Sequence, residues 1–492
     1  MMILRLSLYT DYSISIIKKS LIRSYLTVNR AICLFFFAAL FNEFDQCFLK
    51  RHYYKTEENT MSYSIGKRIP LPYQEEYLLL VEERIKHGDL NCAFGFRFHA
   101  EIDREIMEKT IRKIVENNDA FRMRIINEDG KYFQYCEEST EYVLRVTMPE
   151  GSSAEERYNA AYAEAMGEIK KLIPIGSENP LWKCWMYKID NDDYFMVFNL
   201  HHAISDGYSA SILTELLKKY YAAIKNNEEI ESASGASGYM EFIENELELS
   251  GMEKGQKQLQ YWADEIEGYK PLDLSEFIKD ENPEMAKKIV NIDLASIDSA
   301  AKKAKSSHFA VLMTAYHIAI SKLTGVHDTL IGFASANRTD KKFRNTIGFL
   351  SRAVQNRLMI KDDDSLNELV STTFRKISEN VANQSMMITG RDDNSKSIIQ
   401  FHCTYSPTVL DGKNMIFDGK PYETIQFIVE HRVDFLTAMV YEHTDHIMLL
   451  FVADTCFVGS ELIEKISSAI PEIIDIIDRS GDLKYSELKL WE

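Results

Sequence analysis

Apolar positions recur along the chain in two rhythms, and these predict most of its elements. Tyr73 to Arg84 (YQEEYLLLVEER) places Tyr77, Leu80 and Val81 at helical spacing. Arg104 to Asn117 does the same with Ile106, Ile111 and Ile114. Cys92 to His99 (CAFGFRFH) alternates small and aromatic residues as a strand does, and Phe121 to Ile126 is a second strand candidate, closed by the turn Glu128-Asp129-Gly130. Tyr194 to Leu200 (YFMVFNL) is nearly all apolar, which suits a strand buried on both faces. A polar loop follows, and then Ser209 to Ile224 puts Leu213, Leu216, Leu217, Tyr220 and Ile224 on one helical face. In the second half, His308 to Leu323 reads as a buried helix, Thr329 to Phe333 as a buried strand and Gly459 to Ile477 as a long closing helix. Helices and strands thus alternate in both halves. The small-residue stretch Glu231 to Gly238 (ESASGASG) reads as the linker between them.

At 492 residues the chain is too long for a single core. The expected division is an N-terminal extension over 1–60, a first lobe over 61–235 and a second over 236–492. The net charge of −18 argues against a nucleic-acid partner, which needs a basic footprint, and against an anionic membrane surface. Seven scattered cysteines form no C-x-x-C pair and no zinc spacing, as expected of reduced thiols in a cytoplasmic protein. The apolar run Ala31 to Phe41 follows Lys18, Lys19, Arg23 and Arg30. It is shorter than the roughly 20 residues of a spanning helix. A signal peptide, a genuine extension or targeting segment, and an upstream start codon with Met61 as the natural beginning all remain open for it. Residues 1–60 are expected to be dispensable for the folded protein.

The chemistry is expected in the polar loop after Tyr194 to Leu200. His201, His202, Asp206 and Gly207 form H-H-x-x-x-D-G, a pattern that arises by chance in such a chain on the order of one time in a thousand. A histidine in a loop at a strand end suits general base catalysis, because imidazole titrates near neutrality. His202 is the candidate base, and His201 is expected to pack behind the loop. Asp206, at the start of a helix, is favoured by the helix dipole and suited to pair with an arginine. Gly207 leaves room for a close approach. Ser205 and Ser209 lack the G-x-S-x-G context of a nucleophile, and Ser209 is expected to cap the helix. No third ligand accompanies the histidines, so no metal is expected.

HHAISDGYS resembles the active-site motif of the acyltransferase superfamily that contains condensation domains of nonribosomal peptide synthetases, chloramphenicol acetyltransferase and the plant and yeast alcohol acyltransferases. Further segments are similar to condensation domains in the expected order. PLPYQEEYL (70–78) resembles the opening P-L-x-x-x-Q segment. NNDAFRMRI (117–125) resembles the R-H-E-x-L-R-x-x-F segment, with Arg122 on its arginine. YMEF (239–242), followed by Tyr261-Trp262, resembles the stretch after the active site. IGFASANRTDKKFRNTIGFLSRAVQNR (331–357) resembles the G-R … I-G-x-F-V-N-T … R segment, with Arg338 on its first arginine. VADTCF (452–457) resembles the strand before the closing helix. The F-V-N-T element departs from the pattern and reads Phe349-Leu350-Ser351-Arg352, which puts the acceptor channel of a peptide-forming domain in doubt.

The resemblance implies an α/β fold of two chloramphenicol-acetyltransferase-like lobes in a V, with a substrate tunnel between them. It implies transfer of an acyl group from a thioester to an amine or hydroxyl on a small-molecule acceptor. The acyl group would arrive on the phosphopantetheine arm of an acyl or peptidyl carrier protein, or on coenzyme A, since no carrier or adenylation domain follows in this sequence. No tightly bound cofactor is implied. Asp206 is expected to pair with Arg338, with Arg122 as the alternative partner. A condensation-like domain that only docks carriers is the non-enzymatic alternative.

Overall fold

The loop that carries the histidines hangs from a strand covered on both faces. The computed structural model describes residues 66–491, apart from 73–74, 76–77, 80–90, 177–178, 231–237, 281–283, 388–398, 407–414 and 428–435. The described residues belong to one unit, Asn59–Ile388 with Ile399–Glu492. The apolar run Ala31 to Phe41, most of the helix expected over Tyr73 to Arg84, and all of the linker but Gly238 lie outside the described residues.

In chain order the strands are β1 (Ile69–Pro70), β2 (Asn91–Phe98), β3 (Met123–Glu128), β4 (Lys131–Cys136), β5 (Arg145–Thr147), β6 (Trp182–Asp190), β7 (Asp193–His201), β8 (Met285–Asp293), β9 (Asp328–Ser335), β10 (Arg352–Met359), β11 (Phe401–Ser406), β12 (Ile416–Phe417), β13 (Lys420–Gln426), β14 (Leu436–Glu442) and β15 (His446–Asp454). One six-stranded sheet runs β12-β13-β2-β7-β6-β5 and a second runs β10-β9-β11-β14-β15-β8. A small sheet, β1-β4-β3, completes the set. Each large sheet mixes parallel and antiparallel pairs.

β7 sits between β2 and β6 and is buried at every position. Alternate side chains of a strand point to opposite faces. Phe195 and Val197 pack on Ala161, Ala165 and Ile169 of the Ala154–Ile169 helix. Met196, Phe198 and Leu200 enter the other core with Ile111 of the Arg104–Asn117 helix and Leu213 and Leu217 of the Gly207–Lys225 helix. The unbroken apolar run of this strand therefore serves two cores. The strand expected over Phe121 to Ile126 begins later, because Asp119–Arg122 form a 3-10 turn before β3. The turn joining β3 to β4 has Asp129 and Gly130 both at positive φ (52° and 78°), the conformation a tight hairpin needs.

The core that β7 shares with the Arg104–Asn117 and Gly207–Lys225 helices draws residues from both sides of the boundary expected between 235 and 236. Tyr239, Met240, Phe242 and Ile243 of the Tyr239–Gly251 helix are buried in it, as are Phe343, Ile347, Leu350, Phe417 and Tyr422. β13 pairs antiparallel with β2 and extends the first sheet. The physical reason is edge protection: without β13, β2 would present a row of unpaired backbone groups. The helix beginning at Tyr239 is capped from the first half of the chain. Gly238 has no side chain to offer, and the Asp119 carboxylate accepts from the amides of Tyr239 (2.8 Å) and Met240 (2.9 Å). No helix among the described residues is long and apolar enough to cross a membrane.

Candidate active site

β7 ends at His201, and the chain turns through a 3-10 helix, His202–Ile204, before the Gly207–Lys225 helix begins. His201 is buried, and its Nδ1 accepts from the Ala203 amide at 3.1 Å, so its ring caps the turn from behind. Asp206 is the N-cap of the helix, in extended backbone, and accepts from the Ser209 amide at 2.9 Å. Ser209, the cap expected from the sequence, stands instead at the third helical position. It returns a contact to the Asp206 backbone, the reciprocal arrangement of a capping box.

Both oxygens of Asp206 are fully engaged. Oδ1 accepts from the Ser209 amide, the Ser209 hydroxyl (2.9 Å) and Arg338 (3.1 Å). Oδ2 accepts from Arg338 (2.9 Å) and the amides of Leu350 (3.1 Å) and Ser351 (3.0 Å). Arg338 is equally enclosed. It also donates to the carbonyls of Ala336 and Thr346, and it lies over the Tyr208 ring. Asp206 thus ties the loop to the 338–351 segment and has no lone pair left for a substrate proton. Arg122 is not its partner. Arg122 donates to the carbonyls of Val115, Glu116 and Glu137, so it satisfies the carbonyl end of the Arg104–Asn117 helix, where a cation is favoured. The Ser209 hydroxyl sits between Asp206 and the backbone of Gly348, buried, in no position to attack a substrate. A Cβ added at Gly207 would meet no protein atom within 4 Å, so space is open beside the first turn.

His202 is the member of the motif that is only partly buried. The Phe349 ring meets its ring edge to face, with centroids 4.7 Å apart. Its Nδ1 is shielded and has no protein hydrogen bond. Burial works against a charged imidazole here, but the neighbouring Cys92 and, less, Asp206 outweigh it and lift the ring to about 9. The Cys92 thiol lies 3.7 Å from the Ser205 carbonyl as a donor. A ring so raised acts as a base from its neutral form, which it gains as pH rises through that value.

Residues whose part in holding the loop the sequence does not indicate complete the setting. Tyr239 is fully buried and donates to the Ala203 carbonyl at 2.8 Å, next to His202. The departure at 349–352 is put to structural use. Phe349 packs on His202, the amides of 350 and 351 hold Asp206, and Arg352 turns inward to pair with Glu246. Gly348 lies flat on the Tyr239 ring, where an added Cβ would come within 2.2 Å of a ring carbon. Gly348→Ala is therefore expected to cost about 1–3 kcal/mol by overpacking, read as a lowered melting temperature. A neutral or stabilising result would mean that the ring is free to move.

The sequence profile of the condensation domain matches residues 71–388. The chain belongs to the condensation-domain family of amide- and ester-forming acyltransferases found in nonribosomal peptide synthetases. A linear gramicidin synthase of Brevibacillus parabrevis is 22% identical over 338 residues, which are 65% of this chain and 6% of that protein. The beauvericin nonribosomal cyclodepsipeptide synthetase of Gibberella fujikuroi is 28% identical over 289 residues, 56% of this chain and 9% of that one. Against the eight curated relatives compared, the matched segment spans between 2% and 9% of their length. Among solved structures, the starter condensation domain of rhizomide synthetase RzmA, as a mutant in complex with C8-CoA and Leu-SNAC, superposes with a TM-score of 0.72 at 14% identity, covering 86% of this chain and 98% of that one. The first condensation domain of the calcium-dependent antibiotic synthetase, with a substrate analogue, gives 0.70 at 14%, covering 87% and 100%.

Proposed function

We propose that the protein transfers an acyl or aminoacyl group from the phosphopantetheine thioester of a carrier protein to an amine or hydroxyl of a small-molecule acceptor, with His202 as the reacting group. One observation carries this reading. Within the motif, His201 and Asp206 are buried in structural contacts, and His202 is the partly exposed side chain with an imidazole available. The acceptor nitrogen or oxygen attacks the thioester carbonyl and gives its proton to His202. The tetrahedral carbon then expels the thiolate, and that proton passes to the sulfur. A new C–N or C–O bond forms, the C–S bond breaks, and no redox partner or metal is required.

A second reading uses coenzyme A as the donor. It is favoured by the similarity to a domain crystallised with C8-CoA. The two are separated by comparing kcat/KM for one acyl group on a carrier protein and on coenzyme A. The carrier-bound form is expected to react at least about tenfold faster, because binding energy from the remote carrier surface helps to position the thioester. Equal or faster turnover of the coenzyme A thioester would move the donor to that class. Carrier binding with no turnover of any thioester would favour a docking role.

A further inference from the structure

Behind the catalytic loop lies a buried carboxyl that the proposed chemistry does not use. Glu75 is 3% exposed, Gln134 1% and Tyr239 0%. Gln134 of β4 donates to Oε2 of Glu75 at 2.8 Å, and the Tyr239 hydroxyl touches Oε1. The same hydroxyl reaches the Ala203 carbonyl. A tyrosine has one proton to donate. An ionised Glu75 and the Ala203 carbonyl would compete for it, and one buried acceptor would be left without a donor, at a cost in stability. With a proton on Glu75 the count closes. The carboxylic acid donates to Tyr239, Tyr239 donates to Ala203, and Gln134 donates to the carboxyl's other oxygen.

The surrounding charges agree with this count. Burial pushes the Glu75 carboxyl up to about 8, against the hydrogen bonds from Tyr239 and Gln134. Of the charged groups facing it, the Glu246 carboxylate adds to the rise and Arg352 opposes it weakly. Arg352 is itself paired with Glu246 and donates to the carbonyls of Leu350 and Ser351.

We propose that Glu75 is a positioning residue for acyl transfer: as a neutral acid it fixes, through Tyr239, the Ala203 carbonyl and so the turn that aims His202. This rests on the reading of His202 as the reacting group. When Glu75 loses its proton to solvent, the Tyr239 proton is drawn to the carboxylate and the Ala203 carbonyl is released. The turn then loosens, and activity falls on the alkaline side.

Glu75→Gln tests this, because the amide, like the neutral acid, can donate toward Tyr239 and accept from Gln134 without ionising. The ratio of mutant to wild-type kcat/KM cancels the titration of the acceptor and of His202. It is expected to stay near one at about pH 6–7 and to rise about tenfold per pH unit once the wild-type carboxyl ionises. Tyr239→Phe should lower kcat more than KM at every pH. A flat Glu75→Gln ratio to about pH 9.5, or a folded Glu75→Gln protein inactive at neutral pH, would overturn the proposal.

Melting temperatures give a second readout, independent of activity. The folded carboxyl titrates above its unfolded value, so its contribution is full below the unfolded value and is lost as pH rises through the folded one. Wild type should therefore lose stability relative to Glu75→Gln between about pH 4.5 and 8, with the difference level above that. A melting difference that does not change with pH would also overturn the proposal. Failure of the His202 reading would appear separately, as an active His202→Ala enzyme with this melting behaviour intact.

Discussion

Asp206→Ala is expected to destabilise the protein by about 3–5 kcal/mol and to abolish most activity, because it leaves a buried guanidinium without its counter-charge. Asp206 and Arg338 have side chains 1% and 3% exposed, and they meet through two parallel hydrogen bonds. The carboxylate also holds three backbone amides, those of Ser209, Leu350 and Ser351. Its removal therefore uncaps the Gly207–Lys225 helix and frees the segment bearing Phe349 in one step. Arg338→Ala should cost a comparable amount by stranding the carboxylate. The double mutant should fall well short of the sum, since the second substitution removes a charge already unpaired. The effect should change little with added salt, because a buried pair is poorly screened. Additive losses in denaturant unfolding would show that the pair does not act as a unit.

His202→Ala is expected to lower kcat by about 10²–10⁴-fold with little change in melting temperature or carrier affinity. The side chain is only partly buried and makes no protein hydrogen bond through Nδ1, so its loss leaves few groups unsatisfied. His201→Ala should do the reverse. It removes the buried acceptor for the Ala203 amide, so stability is expected to fall by about 1–3 kcal/mol. Under the proposed mechanism, proton transfer requires neutral His202. The wild-type rate should therefore decline as pH falls and the imidazole gains a proton, and His202→Ala should lack that limb.

Much of this site is legible in the sequence because it is local. HHAISDG fixes a strand end, a turn and a helix start within seven residues, and the apolar run before it requires a strand with both faces covered. The pairing of Asp206 with Arg338 spans 132 residues and is reached only through the family resemblance, never from spacing. Asp119 capping the helix at Tyr239 across 120 residues, and Glu75 meeting Tyr239 across 164, carry no sequence signal, because their patterns are tertiary. The boundary at 235 misleads for the same reason. A linker marks where the chain is flexible in composition, whereas β13 returns to the first sheet because β2 needs a partner. Capping by Asp206 instead of Ser209 was within reach, since aspartate three positions before serine is itself a capping pattern.

Acyl transfer is proposed to run through His202. Its most direct test is single-turnover transfer from an acyl-loaded carrier protein to an acceptor, with wild type and His202→Ala compared at equal carrier occupancy. The expected result is rapid product formation by wild type and a rate reduced at least about 100-fold in the mutant, with carrier binding unchanged. Product formation by His202→Ala at near wild-type rate would contradict the account.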